Sequence, residues 1–178
     1  MAAHLDAAGV PYMVAGSFAS TYHGVPRSTQ DIDIVIDPTG ASLAALLAAL
    51  PEPDYYVDHD AARDALRRRS TFNVIDLATG WKIDLVIRKA RPFSVEEMAR
   101  RQRGELFGAA VAIATAEDAI IAKLEWAKLR DSERQLRDVA GVLDVRAATL
   151  DIAYIEKWVT DLGLETQWAR ARGDLPSR

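Results

Sequence analysis

Val14-Ala15-Gly16-Ser17-Phe18-Ala19-Ser20 and then Asp31-Ile32-Asp33-Ile34-Val35-Ile36 are the stretches whose reading decides the fold. The first reads as a buried strand running into Gly-Ser, with Ser17 as N-cap of a short helix. The second is a strand that opens with acids on alternate residues. Side chains at i and i+2 share a face, so Asp31 and Asp33 point together while Ile32 and Ile34 face the other way. Paired carboxylates repel and are costly to desolvate unless a cation lies between them. Mg²⁺ suits that position, because it takes carboxylate oxygens and shares its shell with water and substrate phosphates. The free N–H groups opening the Ser17 helix suit an anionic phosphate, and Gly16 permits close approach. A phosphate cradle thirteen residues (18 to 30) ahead of an acidic pair predicts a magnesium–nucleotide site.

Working outward, Ala2 to Ala8 reads as a short helix stopped by Gly9 and Pro11. The Ser17 helix ends near Gly24, with Pro26 beyond it. Asp37-Pro38-Thr39-Gly40 is a turn, and Ser42 to Leu50 an Ala/Leu-rich helix. Tyr55 to Val57 reads as an edge strand, and Asp60 to Arg68 as a helix. Thr71 to Leu77 and Trp81 to Ile87 are β-branched runs either side of Ala78-Thr79-Gly80, which predicts a hairpin. Within its second arm Asp84 lies between Ile83 and Leu85, so it faces away from them. A metal gives an acid there a reason to exist; Asp76, on the partner arm, competes for the same role. Ser94 to Arg101 reads as a helix, and Glu105 to Phe107 with Val111 to Ala114 as a small strand pair.

From Thr115 the pattern turns helical. Thr115-x-x-Asp118 is a loose capping box ahead of Ile120, Ile121 and Leu124. Further helices are expected over Ser132 to Val145, Leu150 to Leu162 and Glu165 to Arg172, with Gly173 to Arg178 fraying. The expected class is therefore α/β (α+β): a mixed β-sheet flanked by helices over 1–114, with a C-terminal helical part over 115–178 packed on it.

Composition bounds the function. The 178 residues are 49% hydrophobic and 27% charged, as in ordinary globular proteins. Without cysteine there are no disulfides or thiolate metal sites, and no signal-peptide pattern opens the chain, so a cytoplasmic, non-membrane protein is expected. The net charge of −4 is uneven. Residues 60–104 hold eleven basic residues against six acids, including Arg63, Arg67, Arg68 and Arg69. These read either as solvated helix faces or as a footprint for RNA or triphosphate. His23 reads as a packed surface histidine without a role.

Gly16-Ser17, the spacer and Asp31-Ile32-Asp33, with Asp84 in Lys82-Ile83-Asp84-Leu85-Val86-Ile87, resemble the nucleotidyltransferase superfamily with the DNA polymerase beta-like fold. Pro26-Arg27-Ser28-Thr29-Gln30-Asp31-Ile32-Asp33 resembles its small bacterial branch of AbiEii-like and MenT-like toxins, over roughly residues 10 to 145. The resemblance implies NMP transfer from an NTP to a hydroxyl of RNA, a tRNA end or a protein, and a toxin–antitoxin partner. It implies two Mg²⁺, or Mn²⁺, held by Asp31, Asp33 and Asp84, with Asp84 as general base. Gly16, Ser17 and Arg27 are expected at the nucleotide phosphates. Glu117-Asp118-Ala119-Ile120-Ile121-Ala122-Lys123-Leu124 and Arg137-Asp138-Val139 are similar to the family's helical motifs, which implies that Lys123 and Asp138 complete the nucleotide site. Two alternatives stand beside this: an antitoxin-like interaction protein of the same fold that does not catalyse or that modifies itself or its partner, and an antibiotic nucleotidyltransferase.

Overall fold

The computed structural model describes residues 1–174, and the chain forms two compact units. The first comprises Met1–Ala15 and Thr29–Ile113. The second comprises Gly16–Ser28 with the chain from Ala114 on. Sequence reading placed the break near 114; it did not foresee that the Gly16–Ser28 segment clusters with the later helices. That association is tertiary and leaves no mark on local pattern.

The first unit is built on β1 (Tyr12–Val14), β2 (Asp31–Ile36), β3 (Tyr55–Val57), β4 (Thr71–Asp76), β5 (Lys82–Ile87), β6 (Gln102–Leu106) and β7 (Ala109–Ile113). These form one mixed sheet in the order β3-β4-β5-β2-β1-β7-β6. The expected hairpin is β4 and β5, antiparallel, and the expected edge strand is β3. The pairing that matters is β2 with β5, which is parallel and sets Asp31 opposite Lys82 and Asp33 opposite Asp84.

Strand period 2 sorts the two faces. Ile34, Ile36, Phe72, Val74, Ile83, Leu85 and Ile87 are buried on one side, with Leu5 of α1 (Ala2–Ala7), Leu43, Leu46 and Leu47 of α3 (Gly40–Ala49) and Ala62 and Ala65 of α4 (His59–Arg68). That apolar layer forces Asp31, Asp33, Lys82, Asp84 and Asn73 to the opposite face. The helix α3 starts two residues earlier than its Ala/Leu run suggests, because Thr39 and Ser42 form a reciprocal capping box that draws Gly40 and Ala41 into the first turn. The helix α5 (Pro92–Arg100) opens on proline, whose missing N–H costs nothing at that position.

The second unit contains α2 (Gly16–His23), α6 (Ala116–Arg130), α7 (Glu133–Arg146), α8 (Ile152–Leu162) and α9 (Glu165–Ala171). Thr115 caps α6 as its sequence promised, its hydroxyl accepting from the Asp118 N–H at 3.2 Å. The Asp118 carboxylate is fully buried and is held by Thr115 Oγ1 at 2.8 Å and by the Tyr154 hydroxyl at 2.6 Å, tying α8 to α6. After α2 the chain passes against α7 through two glycines. A Cβ on Gly24 would lie 2.8 Å from the Val142 backbone nitrogen, and one on Gly141 would lie 3.3 Å from the Val25 side chain. Of the tail expected to fray, Asp174 donates its N–H to the Ala169 carbonyl at 2.9 Å; residues 175–178 lie outside the described residues. No helix among the described residues is long and apolar enough to cross a membrane.

His23 corrects its sequence reading: it is buried at 2% exposure, not on the surface, and its Nε2–H donates to the Ala114 carbonyl at 2.8 Å. Burial pushes its pKa down, against the opposing pull of that hydrogen bond. The folded state therefore disfavours protonated His23. The unfolded chain binds more protons below its ordinary value of about 6.5, so stability falls as pH drops through that range. Urea midpoints at pH 7.5 and pH 5 will show this loss in the native protein, and His23→Gln will remove part of the difference. Equal differences in both proteins would refute the assignment.

Candidate functional site

In the first unit the carboxylate-bearing face is organised by the β2–β5 register. Asp33 and Asp84 sit side by side on adjacent strands, with Asp31 and Lys82 one pleat before them. The Asp84 side chain is 19% exposed, and its Oδ1 is buried with no hydrogen-bond partner. Asp31 is open to solvent, and Asp33 is half-buried. Ala15 donates its N–H to the Asp33 carbonyl at 2.9 Å, and Gly16 is the next residue.

Lys82 is the residue sequence reasoning missed. Its ammonium lies 3.1 Å from Asp84 Oδ2 and 3.6 Å from Asp31 Oδ1. The hydrogen bond to Asp84 raises the Lys82 pKa, so it stays positive. Its position two residues before Asp84 on one strand face was the available signal.

Asp76 is removed as a rival. It falls on the opposite strand phase from Asn73, the register partner of Asp84. Its Oδ1 accepts the N–H groups of Ala78 and Thr79, each at 3.0 Å, and so closes the hairpin turn.

The carboxylate face fits a hydrated cation. An orphaned buried carboxylate oxygen and an ammonium drawn between two acids both mark a place where positive charge is stabilised. Among the described residues there is no group of three or more His, Cys, Asp or Glu that could hold a metal ion by itself. Mg²⁺ does not need one, since it usually keeps several waters and takes one or two carboxylates plus phosphate oxygens.

The second unit holds the remaining expected residues in a single network. Ser17 corrects its expected role as N-cap: α2 begins at Gly16, which places Ser17 within the first turn. Its hydroxyl instead accepts a hydrogen bond from Arg27 Nη2. Gly16 adopts a left-handed φ of 56°, a conformation that favours glycine at the strand-to-helix bend. Arg27 also clasps Asp138, with Nε donating to Oδ1 at 2.9 Å and Nη2 to Oδ2 at 3.2 Å. From α6, Lys123 reaches the same Asp138 Oδ2 at 2.7 Å. Burial alone would raise the Asp138 pKa, but hydrogen bonds and charge from Lys123 and Arg27 outweigh it and hold the carboxyl below its ordinary range. The side chains of Lys123 and Asp138 are only 5% and 8% exposed, so this is a buried ion pair, not a surface one.

The basic stretch behaves differently. Arg63 pairs with Asp60 at 2.8 Å, and Arg67 and Arg68 pair with Asp64 at 2.8 and 2.9 Å, along the exposed side of α4. Arg69 donates to the Arg88 carbonyl, and Arg88 pairs with Asp37. Exposed pairs of this kind contribute about 1 kcal/mol or less each.

No protein-family model matches the chain, and no curated protein does. Solved structures do. An antigenic nucleotidyltransferase-like protein from Paracoccidioides brasiliensis is similar with a TM-score of 0.59 at 16% identity, over 98% of this chain and 86% of its own. The antibiotic-resistance factor ANT(2'')-Ia is similar with a TM-score of 0.51 at 14% identity, over 97% of this chain and 91% of its own. The fold is thus the mixed α/β arrangement of nucleotidyltransferase-like structures, with a seven-stranded mixed sheet flanked by helices.

Proposed function

We propose that the protein is a metal-dependent nucleotidyltransferase that moves an NMP from an NTP to a hydroxyl at an RNA end, breaking the α–β phosphoanhydride bond and releasing pyrophosphate. The observation that carries the reading is the β2–β5 register, which sets Asp33 beside Asp84 and puts Asp31 on the same face. Two half-buried acids, Asp33 and Asp84, with the exposed Asp31 on the same face of largely apolar strands, favour a cation beside them.

Asp31, Asp33 and Asp84, together with water and phosphate oxygens, would hold Mg²⁺, which would supply charge neutralisation and Lewis-acid polarisation at the transferred phosphoryl group. Asp84 Oδ1, buried without a partner, takes the proton of the acceptor hydroxyl. Ser17, Arg27 and Lys123 bind the triphosphate, where Gly16 leaves the backbone open to approach. Asp138 fixes the directions of Arg27 and Lys123, so their charges are ordered before the nucleotide arrives. Phosphoryl transfer asks a protein mainly for such positioning and charge. The test is incubation with each α-labelled NTP, Mg²⁺ and total RNA. Label must pass to RNA; no transfer with any NTP, together with no NTP binding by calorimetry, would reject the reading.

Lys82 gives this proposal a second handle. Its ammonium occupies part of the space between Asp31 and Asp84. In Lys82→Met the stem remains and the competing cation is gone, so Mn²⁺, read by electron paramagnetic resonance, will bind a few-fold more tightly. Unchanged or weaker binding would mean that the lysine does not share the metal's position.

A further inference from the structure

A cavity of about 440 Å³ in the second unit is left unexplained by the roles assigned above. Ser20, Val25, Pro26, Arg27, Arg134 and Arg137 line it, with Asp138 at its edge. Its shape is built in. The chain after α2 approaches α7 through Gly24 and Gly141; a Cβ on Gly24 would collide with the α7 backbone, and one on Gly141 would press tightly on Val25.

The charge of this cavity is unbalanced. Arg134 and Arg137 stand three apart on α7, hence on one helix face, and both are exposed. Among the described residues neither is engaged in an ion pair or hydrogen bond. The cavity's one carboxylate, Asp138, is already committed to Lys123 and Arg27. Arg134 and Arg137 therefore stand unpaired at a concavity whose acid is already balanced by Lys123 and Arg27. Guanidinium geometry matches phosphate oxygens bidentately. No aromatic ring lines the cavity, so a base has no platform to stack on. A lining of this kind suits phosphate and offers no ring against which a base could stack.

We propose that this cavity is a phosphodiester site, holding backbone phosphates of the single-stranded RNA acceptor independently of sequence. The identity of the ligand rests on the transferase reading; the binding itself requires neither NTP nor metal, and is tested without them. Fluorescence anisotropy with a labelled twelve-nucleotide RNA and a scrambled control, across a salt series, compares the native protein with Arg134→Glu/Arg137→Glu. The charge reversal will weaken both RNAs at least tenfold. The neutral Arg134→Gln/Arg137→Gln protein will lose less, and the slope of log K against log salt will fall by about 1.4, at about 0.7 per lost phosphate contact. NTP affinity will be unchanged. The proposal is overturned if RNA affinity and salt slope survive, if only one RNA sequence is affected, or if NTP affinity falls in step, which would make the cavity part of the nucleotide's own site. Arginine-dependent RNA binding in a protein that transfers no label would sustain this inference while ending the catalytic one.

Discussion

Replacing Asp33 or Asp84 with Asn will abolish label transfer from α-labelled NTP, by about 10³-fold or more, while leaving the thermal midpoint close to native. The magnitude follows from what the carboxylates are for. Removing one preorganised group that stabilises developing charge costs about 10²–10³ in rate, and a group that also holds the cation does more. Stability should hardly change, for reasons visible in the sheet. Asn is nearly isosteric with Asp, and Asp84 Oδ1 has no hydrogen bond to lose. Its Oδ2 contact with the half-exposed Lys82 ammonium is worth little in water. Substituting Asn at position 84 also relieves repulsion with Asp33 on the neighbouring strand. Asp31→Asn will act in the same direction and less strongly, since that carboxylate is open to solvent. Circular dichroism, thermal melts and Mn²⁺ titration make the comparison complete. Transfer at native rate in Asp84→Asn would show that the three acids are a solvated strand face and that the chemistry lies elsewhere.

The acids were readable because a strand face is a local, period-2 property. Asp31, Asp33 and Asp84 each alternate with isoleucine or leucine, and the sheet had only to bring two strands into parallel register for their faces to agree. The hairpin, the edge strand and the Thr115 cap were readable for the same reason, as each depends on residues within a few positions. What escaped was set by distant partners. Lys82 gains its meaning only when β5 lies beside β2, which puts Asp31 opposite it. His23 is buried because Ala114, ninety-one residues away, offers its carbonyl. Ser17 resembled a helix cap until Arg27 was seen to take its hydroxyl. The arginines of α4 looked like a nucleic-acid footprint in the sequence; Asp60 and Asp64, one turn away, pair with three of them. Arg134 and Arg137, unengaged among the described residues, lie on α7, where net charge by region gave no hint of them.

Asp138→Ala will destabilise the protein by about 3–5 kcal/mol, the largest single stability loss expected at any of the residues assigned to the nucleotide. Its carboxylate neutralises Lys123, whose side chain is 5% exposed, and Arg27, one quarter exposed. Truncating the acid takes from the Lys123 ammonium the carboxylate that lies 2.7 Å away in low dielectric, and the loss of that buried contact is what costs. Against a typical domain stability of about 5–15 kcal/mol, the variant approaches the threshold of folding. The cause can be separated from simple loss of packing. Adding Lys123→Met to Asp138→Ala removes the charge that the acid balanced, so the double variant will be more stable than Asp138→Ala alone, whereas a second loss of packing would add to the destabilisation. The pH profile supplies the sign. Asp138 titrates below its ordinary carboxylate range when folded, so the unfolded chain binds the proton first. Its contribution is complete above about pH 4 and is lost as pH falls through the depressed folded value. Denaturant melts from pH 7 to pH 3 will therefore show the native protein losing its advantage over the double variant at the acid end. An Asp138→Ala protein within about 0.5 kcal/mol of native at pH 7 would place the pair in water, and would leave Arg27 and Lys123 unordered before any nucleotide binds.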